Sequence, residues 1–130
     1  MIVVDASVVV DLLIKPPSEL ARIKARLAHE PTGHAPHLLD VEVTHALRRL
    51  LLSGHLTTLT ARRALRDLAV MGLKRWPHRS LLGRALALRD QLSASDAIYV
   101  AMAELTGATL LTRDARLARS AGHRARVERV

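Results

Sequence analysis

Short apolar runs alternate along this chain with longer stretches whose apolar residues recur every three or four positions. These are the periods of strands and helices. Ile2-Val3-Val4 is a β-branched run stopped by Asp5 and reads as a buried strand. Ser7 to Ile14 is apolar and reads as a short helix or turn, broken by Pro16-Pro17. Ser18 is placed to cap a helix to about His29, with Leu20, Ile23 and Leu27 on one face. His34 to Leu38 reads as a second short strand containing Pro36. Leu39, Val43, Ala46, Leu47 and Leu50 mark a helix from about Leu39 to Ser53, closed by Gly54.

Thr58 or Thr60 opens a further helix that Gly72 ends, and Leu73 to Trp76 is a strand stopped by Pro77. Helices are then predicted from Ser80 to about Gln91 and from Ser93 to Gly107. Thr109-Leu110-Leu111 is a strand, Thr112 to Asp114 a turn into a short helix, and Arg126 to Glu128 a last strand. This alternation implies an α/β three-layer sandwich, with a short, mostly parallel central sheet flanked by helices. The length, 130 residues, suits one domain over residues 1–130.

Composition narrows the picture. Phe is absent and Trp76 and Tyr99 are the only aromatics, so the core has to be aliphatic. With no cysteine there is neither a disulfide nor a thiolate metal site, which suits a reducing cytoplasm. No window approaches the roughly 18 uninterrupted apolar residues of a membrane span, and no basic leader opens the chain. The expectation is a soluble cytoplasmic protein with no membrane partner. Lys plus Arg exceeds Asp plus Glu, 20 against 12, for a net charge of +8. Such an excess favours a polyanion such as nucleic acid, or an acidic protein.

The candidate chemistry lies in Asp5, Glu42, Asp96 and Asp114. Asp5 follows the first strand, Asp114 follows the Thr109–Leu111 strand, and Asp96 stands in the first turn of a helix. Glu42 borders the buried stripe of its own helix. Parallel α/β sheets bind ligands beyond the carboxyl ends of their strands, and all four acids can reach such a crevice. Each also has a local explanation. Asp5 and Asp114 can cap turns, Asp96 can complete a Ser93-x-x-Asp96 capping box, and Glu42 can favour the positive end of its helix. Gathered together, however, four carboxylates repel and take up protons unless cations lie between them. Two divalent ions balance four negative charges, and all-oxygen ligands suit Mg²⁺ or Mn²⁺. Such an ion pair is suited to hydrolysing phosphodiesters.

The strings Val3-Val4-Asp5-Ala6-Ser7, Leu39-Asp40-Val41-Glu42-Val43, Ser95-Asp96-Ala97-Ile98-Tyr99-Val100-Ala101 and Leu111-Thr112-Arg113-Asp114, in that order, span nearly the whole chain. In this set the chain resembles a PIN-domain ribonuclease of the VapC toxin type. The resemblance implies that Asp5, Glu42, Asp96 and Asp114 form the catalytic, metal-binding quartet. Ser7 and Thr112 match supporting hydroxyl positions; their local alternative is turn bonding. It further implies Mg²⁺-dependent endoribonuclease activity, a homodimer and a neutralising VapB-type antitoxin. The expected function is therefore the toxin of a type II toxin–antitoxin system, cutting tRNA or rRNA. The rival reading is a non-catalytic RNA- or protein-binding module on the same fold.

Other residues compete less well. Asp40 lies two positions from Glu42 and so on a different helix face. Asp11, Asp90 and Glu104 read as helix-surface or helix-end charges, with Glu104 placed to support Arg113 or a dimer contact. His34, His37 and His45 match no zinc spacing, and no serine occupies a nucleophile elbow. Arg48-Arg49, Arg62-Arg63-Arg66, Lys74-Arg75 and the Arg113-to-Arg129 tail supply basic surface, some of it for RNA phosphates. Leu50 to Leu52 and the helix from Thr60 to Met71 carry more apolar surface than a small core readily hides.

Overall fold

The computed structural model describes residues 1–130. Five strands form one sheet: β1 (Ile2–Val4), β2 (Gly33–Pro36), β3 (Leu73–Trp76), β4 (Thr109–Thr112) and β5 (Val127–Arg129). Their spatial order is β3-β2-β1-β4-β5 and every pairing is parallel. Seven helices connect them: α1 (Ala6–Ile14), α2 (Ala21–Leu27), α3 (Leu38–Leu52), α4 (Thr58–Val70), α5 (Leu82–Ala87), α6 (Ala94–Thr106) and α7 (Ala115–Ala118). The α/β expectation holds, and the sheet is parallel throughout.

β1 lies at the centre because Ile2, Val3 and Val4 are all buried, as a strand covered on both faces requires. The chain steps outward from β1 through β2 to β3, then crosses back to place β4 on the other side of β1. That reversal is a topological switch point, where parallel sheets open a crevice beyond the carboxyl ends of their strands. α6 crosses the sheet with Ala97 to Ala103 all buried, so its first turn is fixed at this crevice.

Helix ends follow local chemistry. Gly107, at φ +68°, ends α6 in the left-handed conformation that a side chain resists. α3 ends in a Schellman turn, with Gly54 N donating to Leu51 O at 3.1 Å and His55 N to Leu50 O at 2.9 Å. The α4 end is closed by Arg75, whose guanidinium donates to the Leu68 and Met71 carbonyls at 3.0 and 3.3 Å.

Two predicted helices are shorter than expected. Pro17 to Glu19 form a 3-10 turn closed by Leu20 N donating to Pro17 O, so α2 begins at Ala21 and Ser18 caps nothing. Arg79 to Leu81 form another, and α5 stops at Ala87 because Leu88 is buried where the chain turns. Gln91 N and Leu92 N both donate to the Leu88 carbonyl in that turn. The core cannot cover all the apolar surface: Leu52, Leu65 and Val70 stay exposed. No helix is long and apolar enough to cross a membrane.

Candidate active site

The helical repeat builds the walls of the site. Ser7, Asp11 and Lys15 fall four residues apart on one side of α1 and just past its end. Leu38, Glu42, Ala46, Arg49 and Ser53 form a matching stripe along α3. Between these faces runs an open cleft of about 1290 Å³. Asp5 at the end of β1, Asp96 and Tyr99 of α6, and Arg113 and Asp114 after β4 line the same cleft. The four sequence-predicted acids therefore meet. Asp5, Asp96 and Asp114 do so at the amino ends of helices, where the peptide dipoles favour negative charge, and Glu42 joins them from the second turn of α3.

Asp5 is the most enclosed of them, at 7% exposure. Its carboxylate caps α1 by accepting from Val8 N at 3.1 Å. It also accepts from Ser7 Oγ at 2.5 Å and from Thr112 Oγ1. Each hydroxyl is used twice: Ser7 Oγ accepts from Arg113 N, and Thr112 Oγ1 from Asp114 N, both at 2.9 Å. Since a hydroxyl has one proton, these backbone bonds leave it for Asp5. Burial pushes the Asp5 carboxyl above its usual range, against the lowering effect of these bonds.

Glu42 receives the Tyr99 hydroxyl at 2.7 Å. Its carboxyl is pushed up first by burial; the Tyr99 bond opposes this, and the charges of Asp5 and Asp96 add to it. Tyr99 is correspondingly held in its neutral form by burial and by Glu42.

The outer two acids differ. Ser93 Oγ caps α6 by accepting from Asp96 N, and the Asp96 carboxylate turns into the cleft mouth. Asp114 Oδ1 caps α7, accepting from Arg116 N at 2.7 Å and Leu117 N at 3.3 Å. Arg116 Nη2 lies 3.5 Å from Asp96 and 4.0 Å from Asp114, on a side chain 81% exposed.

The charge balance is therefore uneven. Arg116 stands beside the outer acids, whereas Asp5 and Glu42 take part in none of the chain's ion pairs. Arg113 does not compensate them. It is bound to Asp11 Oδ2 at 2.9 Å and to the Val130 carbonyl at 2.6 Å, and Lys15 Nζ meets the same Asp11 oxygen at 3.0 Å. No three His, Asp or Glu side chains converge tightly enough to enclose an ion alone. The carboxylate oxygens are nevertheless the hard donors that Mg²⁺ takes, an ion that keeps several of its own waters.

Several assignments need correction. Asp11 faces the cleft and not open solvent, a placement foreshadowed by its spacing from Ser7. Glu104 supports Arg84, at 2.7 Å, and not Arg113. Tyr99, which the sequence offered as one of two aromatics, carries the hydroxyl that fixes Glu42. Arg116 was legible only as part of the basic Arg113-to-Arg129 tail, and the turn of α7 brings it back over Asp96. Asp40 belongs elsewhere, in a two-bond pair with Arg75 at 3.2 and 2.9 Å. His34 bonds Trp76, His37 stands near His78, and only His45 of that trio lines the cleft.

Comparison with known proteins agrees with this architecture. The PIN domain pattern matches residues 2–122. Ribonuclease VapC3 of Mycobacterium tuberculosis is 43% identical over 119 residues, covering 92% of this chain and 86% of that protein. Ribonuclease VapC12 of the same organism is 38% identical over 130 residues, covering 100% and 99%. Among solved structures, VapBC2 from Rickettsia felis, bound to a DNA fragment from its promoter, superposes with a TM-score of 0.68 at 14% identity, covering 99% and 98% of the two chains. The sarcin–ricin loop cleaving toxin VapC20 of M. tuberculosis gives 0.66 at 16% identity, covering 93% and 97%. The chain belongs to the PIN-domain family.

Proposed function

We propose that this chain is a Mg²⁺-dependent endoribonuclease and the toxin of a toxin–antitoxin pair, with Mn²⁺ an alternative ion. The observation that carries the metal is the pair Asp5 and Glu42: buried or half-buried, facing one cleft, and without a cation of the protein's own. Asp5, Asp96 and Asp114 would be the main metal ligands, and Glu42 would complete the set. A bound divalent ion supplies Lewis acidity toward a phosphodiester.

The chain's own residues do the rest. Ser7, Thr112 and Val8 N hold the Asp5 carboxylate in one orientation. Tyr99 fixes Glu42, which would complete the metal set or orient the attacking water. Arg49, on the α3 stripe, and the net charge of +8 draw the RNA backbone to the cleft. No nucleophilic side chain is required, so no covalent enzyme intermediate forms.

The names of the relatives support ribonuclease activity, and those of the structural neighbours support a VapB-type antitoxin as partner. Structured RNA, tRNA or rRNA, is the proposed target, and the chain is proposed to act as a homodimer. The test is incubation of the full chain with total RNA, with and without Mg²⁺, followed by mapping of the cut ends. Discrete cuts that EDTA abolishes are expected. RNA binding indifferent to EDTA, with no cut under any metal, would replace this reading with a non-catalytic RNA-binding module.

A further inference from the structure

A second, smaller cavity of about 290 Å³ adjoins the acidic cleft, and Asp96 lines both. It lies between the turn after α5 and the α7 segment, and its polar rim carries Gln91, Ser93, Arg116 and Arg119. Leu92, half-buried, and Leu117, 2% exposed, give it an apolar floor. Its volume lies at the small end of the range for ligand sites.

We propose that this cavity is a nucleoside subsite, which receives one unpaired RNA base next to the phosphate that is cut. The inference rests on the ribonuclease reading and gives it a source of sequence preference. A base needs a flat apolar surface, a planar group over its face and a donor–acceptor edge. Half-buried Leu92 supplies the first, with Leu117 packed behind it. The guanidinium planes of Arg116 and Arg119 supply the second, since arginine stacks on bases as aromatic side chains do. Arg119 takes part in none of the chain's ion pairs, so its charge stays available to the base or its phosphate.

The Gln91 amide supplies the edge, with a donor and an acceptor side by side. Gly122 seats this side chain: a Cβ there would stand 3.2 Å from Gln91, and Gly122 has φ +82°. Ser120 is already engaged, donating to the Leu117 carbonyl at 2.6 Å and lying 2.8 Å from His123 Nε2. It therefore stiffens the wall instead of reading the base.

The aromatics leave this task to other residues. Trp76 is on the edge strand β3, bonded to His34, and Tyr99 is buried and bonded to Glu42. Neither offers a face at the cleft mouth.

The test uses the full chain in EDTA, titrated with each of the four ribonucleoside 5′-monophosphates and with inorganic phosphate, followed by NMR shifts. At least one nucleotide should bind more tightly than phosphate, with discrimination among the bases. Arg119→Ala should weaken every nucleotide about two- to fivefold through loss of stacking. Gln91→Ala should weaken the preferred base about three- to tenfold and flatten the discrimination. Both side chains are exposed, so unchanged thermal melts should accompany both variants. In Mg²⁺, Gln91→Ala should alter the base composition flanking the mapped cuts and raise KM more than it lowers kcat.

Binding no tighter than phosphate, or equal binding by parent and variants, would overturn the subsite. Unchanged flanking composition would do the same while leaving the nuclease intact. Selective nucleotide binding in a chain that cuts no RNA would instead refute the nuclease and leave the cavity a nucleotide site.

Discussion

Glu42 and Glu104 are both partly covered glutamates on long helices, and the protein treats them in opposite ways. Glu104 is gripped by Arg84 Nε and Nη2 at 2.7 and 2.9 Å and by Arg124 N at 2.8 Å. The Arg84 guanidinium holds its carboxyl down to about 2. Glu42 has a phenol and no cation, and burial with two neighbouring acids pushes it up. The first charge is answered within the fold. The second is left open on the cleft, the arrangement expected of a site that trades stability for function.

Breaking the open side should have the largest effect. Losing an outer-shell partner of a metal site commonly costs 10–100-fold, so Asp5→Asn should lower RNA cleavage by more than about 100-fold. Asn keeps an oxygen for Val8 N, so far-UV circular dichroism should match the parent. Equal turnover in Mg²⁺ would remove Asp5 from the site.

The next pair of variants should separate function from stability. Glu42→Gln removes a repelled charge, so the metal-free melting temperature should hold or rise while cleavage falls about 10- to 100-fold. Arg84→Ala should do the reverse, lowering the melting temperature by several degrees and leaving the cleavage rate unchanged. Because the Glu104 carboxyl is depressed in the fold, the pair's contribution is complete above about pH 4.5. It is lost as pH falls toward about 2. A melting series from pH 7 to 3 should therefore show a steeper acid loss in the parent than in Arg84→Ala.

His34 is a smaller instance of an internally answered polar group. Trp76 Nε1 donates to its Nδ1 at 2.9 Å, and burial holds its pKa below the usual 6.5. The neutral ring thus stabilises the fold above about pH 6.5, and that contribution is lost as pH falls through the lower folded value. Trp76 is the only tryptophan, so its fluorescence should report the change, and His34→Gln should blunt it.

The mildest perturbation is Arg116→Ala, which removes the exposed guanidinium beside Asp96 and Asp114. Mn²⁺ binding followed by EPR should tighten by about two- to fivefold, as expected for a solvent-screened charge. Weaker binding would make Arg116 a positive contributor to the site.

Much of this was legible in the sequence because backbone punctuation is local. β1 was legible where its β-branched run met Asp5, and β3 where Pro77 stopped the chain, and the convergence of Asp5, Asp96 and Asp114 followed from their places at strand ends and helix starts. Glu42 was legible from its position beside an apolar stripe. Partner choice was not. Asp40 with Arg75, Glu104 with Arg84 and Glu42 with Tyr99 join residues 20 to 57 positions apart, through helix packing that periodicity does not encode. The shortened α2 and α5 were missed because a 3-10 turn carries the same capping residues as a helix start.

Calorimetric titration of the metal-free chain with Mn²⁺, beside Asp5→Asn and Glu42→Gln, tests most directly whether the cleft's unanswered charges await divalent cations. Saturable binding by the parent that both variants weaken at least about tenfold is the predicted result. Identical titrations for all three proteins would contradict it.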